Sequence, residues 1–185
     1  MASGNTIRYN MTAQRLHWLM AVLIIGAWVL GYYLADLPRG PERSSLIGWH
    51  KAIGSTVLLV VAFRLAWRSF NPPPPLSESM PLLLRKITGY TFIVSYLLMI
   101  LVPLAGWAES NAFGYPVKLA GVLPLPTLLE KNESLGETFK DLHVTLAWAF
   151  GILIAAHSAA ALKHHFVDRD DTLARMLPSR GKKPE

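Results

Sequence analysis

Four long apolar stretches constrain the fold of this chain more than any other feature of its sequence. They run from about 16 to 34, 47 to 70, 87 to 107 and 142 to 166. Crossing about 30 Å of hydrocarbon takes roughly 20 residues at about 1.5 Å each, so every stretch is long enough to span a bilayer as a helix. A length of 185 residues favours one domain. The sequence therefore predicts an all-α fold, an integral membrane four-helix bundle that forms a single domain over residues 1–185.

The composition indicates that lipid rather than water surrounds much of the chain. It is 52% hydrophobic and 16% charged, whereas soluble domains usually carry about 25% charged residues. An isoelectric point near 9.7 would also suit a nucleic-acid-binding protein. However, the basic residues flank the apolar runs instead of forming one continuous patch. We therefore expect membrane lipid as a partner, and no nucleic acid.

The distribution of basic residues predicts the orientation in the membrane. One side would carry the larger set: Arg8, Arg15, Arg64, Arg68, Arg85, Lys86, Lys163, Arg169, Arg175, Arg180, Lys182 and Lys183. The other side would carry the smaller set: Arg39, Arg43, Lys51, Lys118, Lys131 and Lys140. The positive-inside rule places the larger set in the cytoplasm, so both termini are predicted to be cytoplasmic. We expect the first stretch to be retained and not cleaved as a signal peptide, because its apolar core is long and no clean A-x-A site follows.

Four histidines lie at the spans, where ionisable residues are costly and usually functional. His17 and His50 open the first and second helices, and His143 and His157 are fourteen residues apart on the fourth. Fourteen residues advance a helix by about 21 Å and leave the side chains about 40° apart, so these two project from one face at two depths. Successive spans run in opposite directions, so histidines at the same depth in the membrane can be paired. His17 then lies with His157 on the cytoplasmic side, and His50 with His143 on the outer side.

Each pair offers two imidazoles from different helices, which is the ligand set of a bis-histidine haem. Iron with both axial positions taken favours electron transfer over oxygen binding. The chain has no cysteine, which excludes c-type attachment and thiolate-ligated iron–sulfur clusters. Two alternatives are histidines that hydrogen-bond across helices and a bound zinc ion. Pairs about 21 Å apart cannot converge on one zinc ion.

Several short motifs accompany the histidines. They are Gln14–Trp18 (QRLHW), Gly48–His50 (GWH), Leu142–His143 (LH), His157–Phe166 (HSAAALKHHF) and Asp171–Pro178 (DTLARMLP). With these motifs, spread over nearly the whole chain, the sequence resembles the bacterial cytochrome b-561 family, specifically its superoxide oxidase members.

The resemblance implies a multi-pass cytochrome of the bacterial inner membrane with two b-type haems. It implies oxidation of superoxide to dioxygen, with ubiquinone as the electron acceptor. It also implies that the protein works without a protein partner. The family's iron ligands fall on the four paired histidines, and a position near its quinone falls on His164. A quinone-linked cytochrome b subunit that serves a partner dehydrogenase is an alternative, as is a non-redox anchor or transporter.

Three further side chains have physical interpretations of their own. Lys51 adjoins His50, where its charge can attract anionic superoxide, pair with a haem propionate or simply be solvated. Arg64 lies at cytoplasmic depth, as a propionate partner or a snorkelling arginine. His164 can hydrogen-bond a quinone carbonyl and relay protons, or can be an ordinary interfacial histidine. We expect Lys51 and His164 to be catalytic and Arg64 to bind cofactor.

Overall fold

The structure is a computed structural model that describes residues 8–75 and 81–177. Within these residues the chain forms the elements α1 (Met11–Asp36), α2 (Pro41–Phe70), α3 (Leu82–Ala112), β1 (Lys118–Leu119), β2 (Leu123–Pro124) and α4 (Glu133–Phe166), followed by a short 3-10 turn over Ala174–Met176. Each of the helices α1 to α4 is long and apolar enough to cross a membrane. The predicted all-α membrane fold is therefore confirmed. The basic residues Arg180, Lys182 and Lys183, and the Pro178 that ends the last motif, lie outside the described residues.

The helices extend beyond the apolar stretches that predicted them. α4 begins at Glu133 rather than near residue 142, because the side chain of Asn132 accepts a hydrogen bond from the backbone N–H of Leu135 at 3.1 Å. Asn10 caps α1 in the same way, accepting from the N–H of Ala13 at 2.8 Å. Such caps satisfy backbone donors at a helix start, so a helix can continue through polar residues. The connection between α3 and α4 is accordingly residues 113–132, shorter than the gap between the apolar stretches that end near 107 and begin near 142.

The helices pack in sequence around a small apolar core. α1 packs against α2, α2 against α3, and α3 against α4. One cluster of buried residues forms this core: Met20, Val57, Val61, Leu98, Met99 and Phe150. Apolar side chains also cover the outside of the bundle, where Val22 and Ile152 are more than two-thirds exposed. Such a surface is suited to lipid, because the bilayer interior is as apolar as the side chains themselves.

The two ends of the bundle differ in what closes them. At one end, which we call the termini side, buried Gln14 donates to the backbone carbonyls of Tyr9 and Arg175, both at 3.0 Å. At the other end, which we call the hairpin side, strand β1 packs on α2 and pairs with β2. There the hydroxyl of Ser55 donates to the carbonyl of Lys118 at 3.0 Å and accepts from the N–H of Ala120 at 3.1 Å. The hairpin is thus anchored to the bundle.

A tryptophan joins α1 to α4 between the two ends. The indole N–H of Trp28 donates to the carbonyl of Ala147 at 3.1 Å, and its ring meets that of Trp148 edge to face at 5.1 Å. Gly151 permits this approach. A Cβ atom at that position would lie 2.7 Å from the indole nitrogen, which is inside van der Waals contact.

We predict that Gly151→Ala destabilises the protein by about 1–3 kcal/mol, because the added methyl must displace a ring held on several sides. Gly26→Ala in α1 is the matched control, since a Cβ there meets nothing within 4 Å. The control should be neutral or slightly stabilising, because alanine is the better helix former. Size-exclusion chromatography after heating measures the folded fraction of each variant. Equal stability of the two variants would contradict the close packing at Trp28.

Candidate functional site

The structure brings the four span histidines together as two pairs at opposite ends of the bundle. The ring centroids of His17 and His157 are 6.3 Å apart on the termini side. Those of His50 and His143 are 6.0 Å apart on the hairpin side. The partners come from α1 and α4 in the first pair, and from α2 and α4 in the second. The pairing is the one that the depths in the sequence predict.

The separation within each pair fits two imidazoles that share one metal ion. An imidazole nitrogen binds a metal at about 2 Å, and the ring centre lies about 1 Å behind that nitrogen. Two rings on opposite sides of one metal therefore have centroids about 6 Å apart. In neither of these two histidine pairs, all of whose members are described, does one ring hydrogen-bond directly to the other. The geometry favours shared ligation over a cross-helix hydrogen bond.

The hairpin-side pair has the surroundings of a metal ligand set. Nδ1 of His143 lies 2.9 Å from the carbonyl oxygen of Val102. Because a carbonyl can only accept, Nδ1 carries the proton and Nε2 is left able to bind a metal, the usual arrangement for a ligating histidine. Nδ1 of His50 is buried and has no hydrogen-bond partner among the described residues. An unpaired nitrogen in an apolar interior is costly. The same ring also lies close to the backbone of Ala27.

Two glycines that the sequence did not single out make room for these rings. A Cβ at Gly106 in α3 would lie 3.0 Å from both Cε1 and Nδ1 of His143, and a Cβ at Gly31 in α1 would lie 3.1 Å from Cε1 of His50. Gly106 is one helical turn after Val102, so its missing side chain opens the way to the Val102 carbonyl. Glycine is frequent in membrane helices for many reasons, and no spacing rule marked these two.

On the termini side, His17 and His157 lie beside a cationic residue. Arg64 in α2 is close enough for its charge to act on both rings, and its Nε donates to the hydroxyl of Tyr96 at 3.1 Å. The C-terminal segment covers this end, since the indole N–H of Trp18 donates to the carbonyl of Met176 at 2.8 Å. Arg64 is thus placed to meet an anionic group bound between the two histidines.

The donor set suits a haem better than a bare metal ion. Among residues 8–75 and 81–177, the one group of three or more His, Asp or Glu ligand atoms is His164, Asp168 and Asp170. Each histidine pair therefore supplies two protein ligands, whereas structural zinc takes four. Haem iron needs only the two axial ligands, because the macrocycle supplies the others.

Lys51 lies on the hairpin side, as expected from its place next to His50, but it is not a free surface lysine. Its ammonium group donates to the hydroxyl of Ser110 at 3.0 Å and to the carbonyl of Pro116 at 2.8 Å. It also lies 5.9 Å from the centre of the Tyr115 ring. The ammonium carries a third hydrogen, so one donor remains beyond these contacts. Lys51 joins α2 to the end of α3 and the loop that follows.

His164 lies on the termini side and is held by acidic residues, which sequence reasoning did not foresee. Its Nδ1 is 2.8 Å from Oδ2 of Asp170 and 3.1 Å from Oδ2 of Asp168. Partial burial opposes ionisation of Asp170, but hydrogen bonds from Thr172 and His164 outweigh it and lower the pKa of that carboxyl. Asp170 is therefore charged at neutral pH. Because the carboxylates take Nδ1–H, Nε2 is the atom of His164 left to face a ligand.

The chain is similar to bacterial membrane cytochromes along nearly its whole length. It is 33% identical over 178 residues to cytochrome b561 homolog 2 of Escherichia coli strain K12, covering 92% of this chain and 91% of that protein. It is 29% identical over 177 residues to the probable superoxide oxidase CybB of Yersinia pestis, covering 94% and 97%. It is 28% identical over 180 residues to cytochrome b561 homolog 1 of E. coli K12, covering 94% and 98%.

The family model described as prokaryotic cytochrome b561 matches residues 8–179, a range that contains both histidine pairs. Membership implies binding of b-type haem, electron transfer and a multi-pass location in the bacterial inner membrane, in agreement with the span-length helices. The chain therefore belongs to the prokaryotic cytochrome b561 family.

Proposed function

We propose that this cytochrome binds two b haems, one between His17 and His157 and one between His50 and His143, and oxidises superoxide with ubiquinone as acceptor. The observation that carries the proposal is the pair of ring separations, 6.3 and 6.0 Å, at opposite ends of one bundle. The haems would supply one-electron transfer across the membrane. The name of the Yersinia relative, a probable superoxide oxidase, supports superoxide as the donor.

The proposed reaction balances with two superoxide anions for each quinone. Each superoxide loses one electron and leaves as dioxygen. The two electrons, together with two protons, convert one ubiquinone to ubiquinol. Superoxide is an anion that crosses hydrocarbon poorly, so oxidation belongs at the outer surface, whereas quinone arrives through the membrane. The proposed orientation has both termini in the cytoplasm, which makes the hairpin side the outer one.

Lys51 is proposed to attract superoxide at the hairpin side. It adjoins His50 in α2, and its bonds to Ser110 and Pro116 hold the ammonium group at this surface. A fixed positive charge raises the local concentration of an anion and the rate of its encounter. Because Lys51 also stabilises the loop, its charge and its structural role must be separated experimentally.

His164 is proposed to assist quinone reduction at the termini side. It is seven residues after His157 on α4, and its hydrogen bond to Asp170 orients the ring. Nε2 could then hydrogen-bond a quinone oxygen, deliver a proton and recover one from the cytoplasm. Arg64 is proposed to pair with a propionate of the haem on the same side.

The first prediction that tests this function concerns the number of haems. Pyridine haemochrome analysis of the purified protein should give close to two haems per polypeptide, because two imidazole pairs are present. His157→Ala and His50→Ala should each lower the value to about one. His165→Ala, which removes a histidine outside both pairs, should leave it unchanged. A wild-type value near one or zero would show that the pairing does not correspond to ligation.

A second prediction tests the glycine beside a proposed ligand. Gly106→Ala should push the His143 ring away from Val102 and selectively weaken the hairpin-side haem, because the new Cβ would be 3.0 Å from the ring. Gly89→Ala in the same helix, where a Cβ meets nothing within 4 Å, is the control. Electron paramagnetic resonance should show one altered low-spin signal in the first variant and none in the second. Identical spectra would mean that the ring position is not critical.

A third prediction addresses superoxide. The second-order rate of haem reduction by pulsed superoxide should fall with added salt, since such attraction is screened within about 8–10 Å at physiological ionic strength. Lys51→Gln should lower the rate and flatten the salt dependence. Lys118→Gln, on the exposed hairpin of the same side, should change both less. A rate indifferent to salt and to Lys51 would remove the steering role. If ubiquinol reduced the haems and superoxide did not, the function would be that of an electron-transfer subunit serving a partner dehydrogenase.

A fourth prediction concerns the quinone. His164→Ala should slow haem oxidation by ubiquinone by roughly 10²-fold, the lower range for loss of a general acid, with little change in the haem spectrum. His165→Ala is the matched control and should behave as wild type. Rapid mixing of dithionite-reduced protein with a ubiquinone analogue measures both. Unchanged kinetics in the His164 variant would move the quinone site elsewhere.

A further inference from the structure

A cavity of about 250 Å³ opens on the termini side. Its walls come from the residues before α1, the end of α2, the prolines that follow it and the middle of α3. Most of these residues lie where the chain enters or leaves a span, so in the proposed orientation the cavity would open near the cytoplasmic headgroups. None of the proposed haem ligands lines it, and neither does His164.

The cavity is strongly cationic. Three arginines line it, Arg8, Arg64 and Arg68, and no acidic residue is among the described residues of its wall. Tyr9 also lines it. Burial raises the pKa of the Tyr9 hydroxyl, against the opposing influence of Arg68, so at neutral pH this group is a neutral donor and does not balance the arginines. Arg8 and Arg68 meet no counter-charge among the described residues of this wall, which favours an anionic ligand.

Aromatic rings hold two of these arginines in place. The guanidinium of Arg68 lies 5.5 Å from the ring centre of Phe92 and 6.0 Å from that of Tyr96. The guanidinium of Arg64 lies 5.7 Å from the Tyr96 ring. Cation–π contacts of this kind stabilise the position of a guanidinium group, whose N–H groups remain able to donate hydrogen bonds. A planar fork of donors matches two oxygens of a phosphate.

We propose that this cavity binds the phosphate of an anionic phospholipid from the leaflet on the termini side. Basic pockets between membrane helices at the cytoplasmic surface are suited to such headgroups. Arg8 and Arg68 provide the contacts that distinguish the site from the haem environment, because Arg64 alone of the three is close to His17 and His157. The proposal does not depend on superoxide or quinone as substrates.

The test uses the holoprotein in non-ionic detergent, mixed with equal amounts of phosphatidylglycerol and phosphatidylcholine. Native mass spectrometry counts the retained lipids, and the Soret band reports haem content. Wild type should retain phosphatidylglycerol preferentially. In the double variant Arg8→Gln/Arg68→Gln the preference should fall by roughly tenfold or more, because the charge-assisted hydrogen bonds to the phosphate are lost. Arg15→Gln, an exposed arginine of α1 at the same end, should behave as wild type.

A double variant Arg8→Lys/Arg68→Lys guards against misfolding, because it retains the charge but not the planar fork. An intermediate preference would support the proposal even if the glutamine variant failed to fold. Equal retention of both lipids by wild type, or full preference in either double variant, would overturn it. Loss of the Soret band in the lysine variant would instead assign the arginines to haem. Displacement of the lipid by inorganic phosphate, with no preference among lipids, would show a site for a free anion and also overturn it.

Discussion

An imidazole inside a bilayer must find its partner in the protein, because lipid offers neither hydrogen bonds nor charge. The two histidine pairs meet this demand by facing each other across helices, with ring centroids 6.3 and 6.0 Å apart. The ring of His143 also bonds to the backbone carbonyl of Val102. A haem iron held between the rings of each pair, as proposed, would satisfy their remaining nitrogen atoms. The helix arrangement, the apolar cluster between the pairs and the closing segments at both ends can be understood as the support for these two positions.

Several rings lie very close to the backbone of a neighbouring helix, and a glycine on that helix makes each approach possible. Gly106 and Gly31 face the rings of His143 and His50, while Gly151 faces the indole of Trp28. At each of these positions a methyl group would enter the space of a ring. Association of membrane helices relies on packing and on polar contacts rather than on the exclusion of water. Glycines contribute to it because they let helices approach closely. The Trp28 bond to Ala147 shows how one donor then joins α1 to α4.

The two ends of the molecule are chemically distinct. The hairpin side presents one half-buried lysine, Lys51, bonded to Ser110 and Pro116. The termini side combines a cationic cavity with an acidic group around His164, and the C-terminal segment folds back over α1. An anionic donor at one end and a quinone with its protons at the other would use these differences directly. The arginines of the cavity add a contact to lipid that could fix the depth of the bundle.

By itself, the sequence determined the membrane fold, the spans and the pairing of the histidines, because span length, helical rise and a fourteen-residue spacing are properties of local geometry. Family membership likewise followed from short motifs read in order. Only the tertiary structure decided what surrounds these residues. The glycines beside the rings and the cavity of Arg8, Arg64 and Arg68 join segments that are distant in the chain. The extension of α4 to Glu133 and the acids around His164 are local contacts that the hydrophobic pattern did not show. Periodicity carries no information on such contacts, since they depend on how the helices pack and on where the connecting segments return.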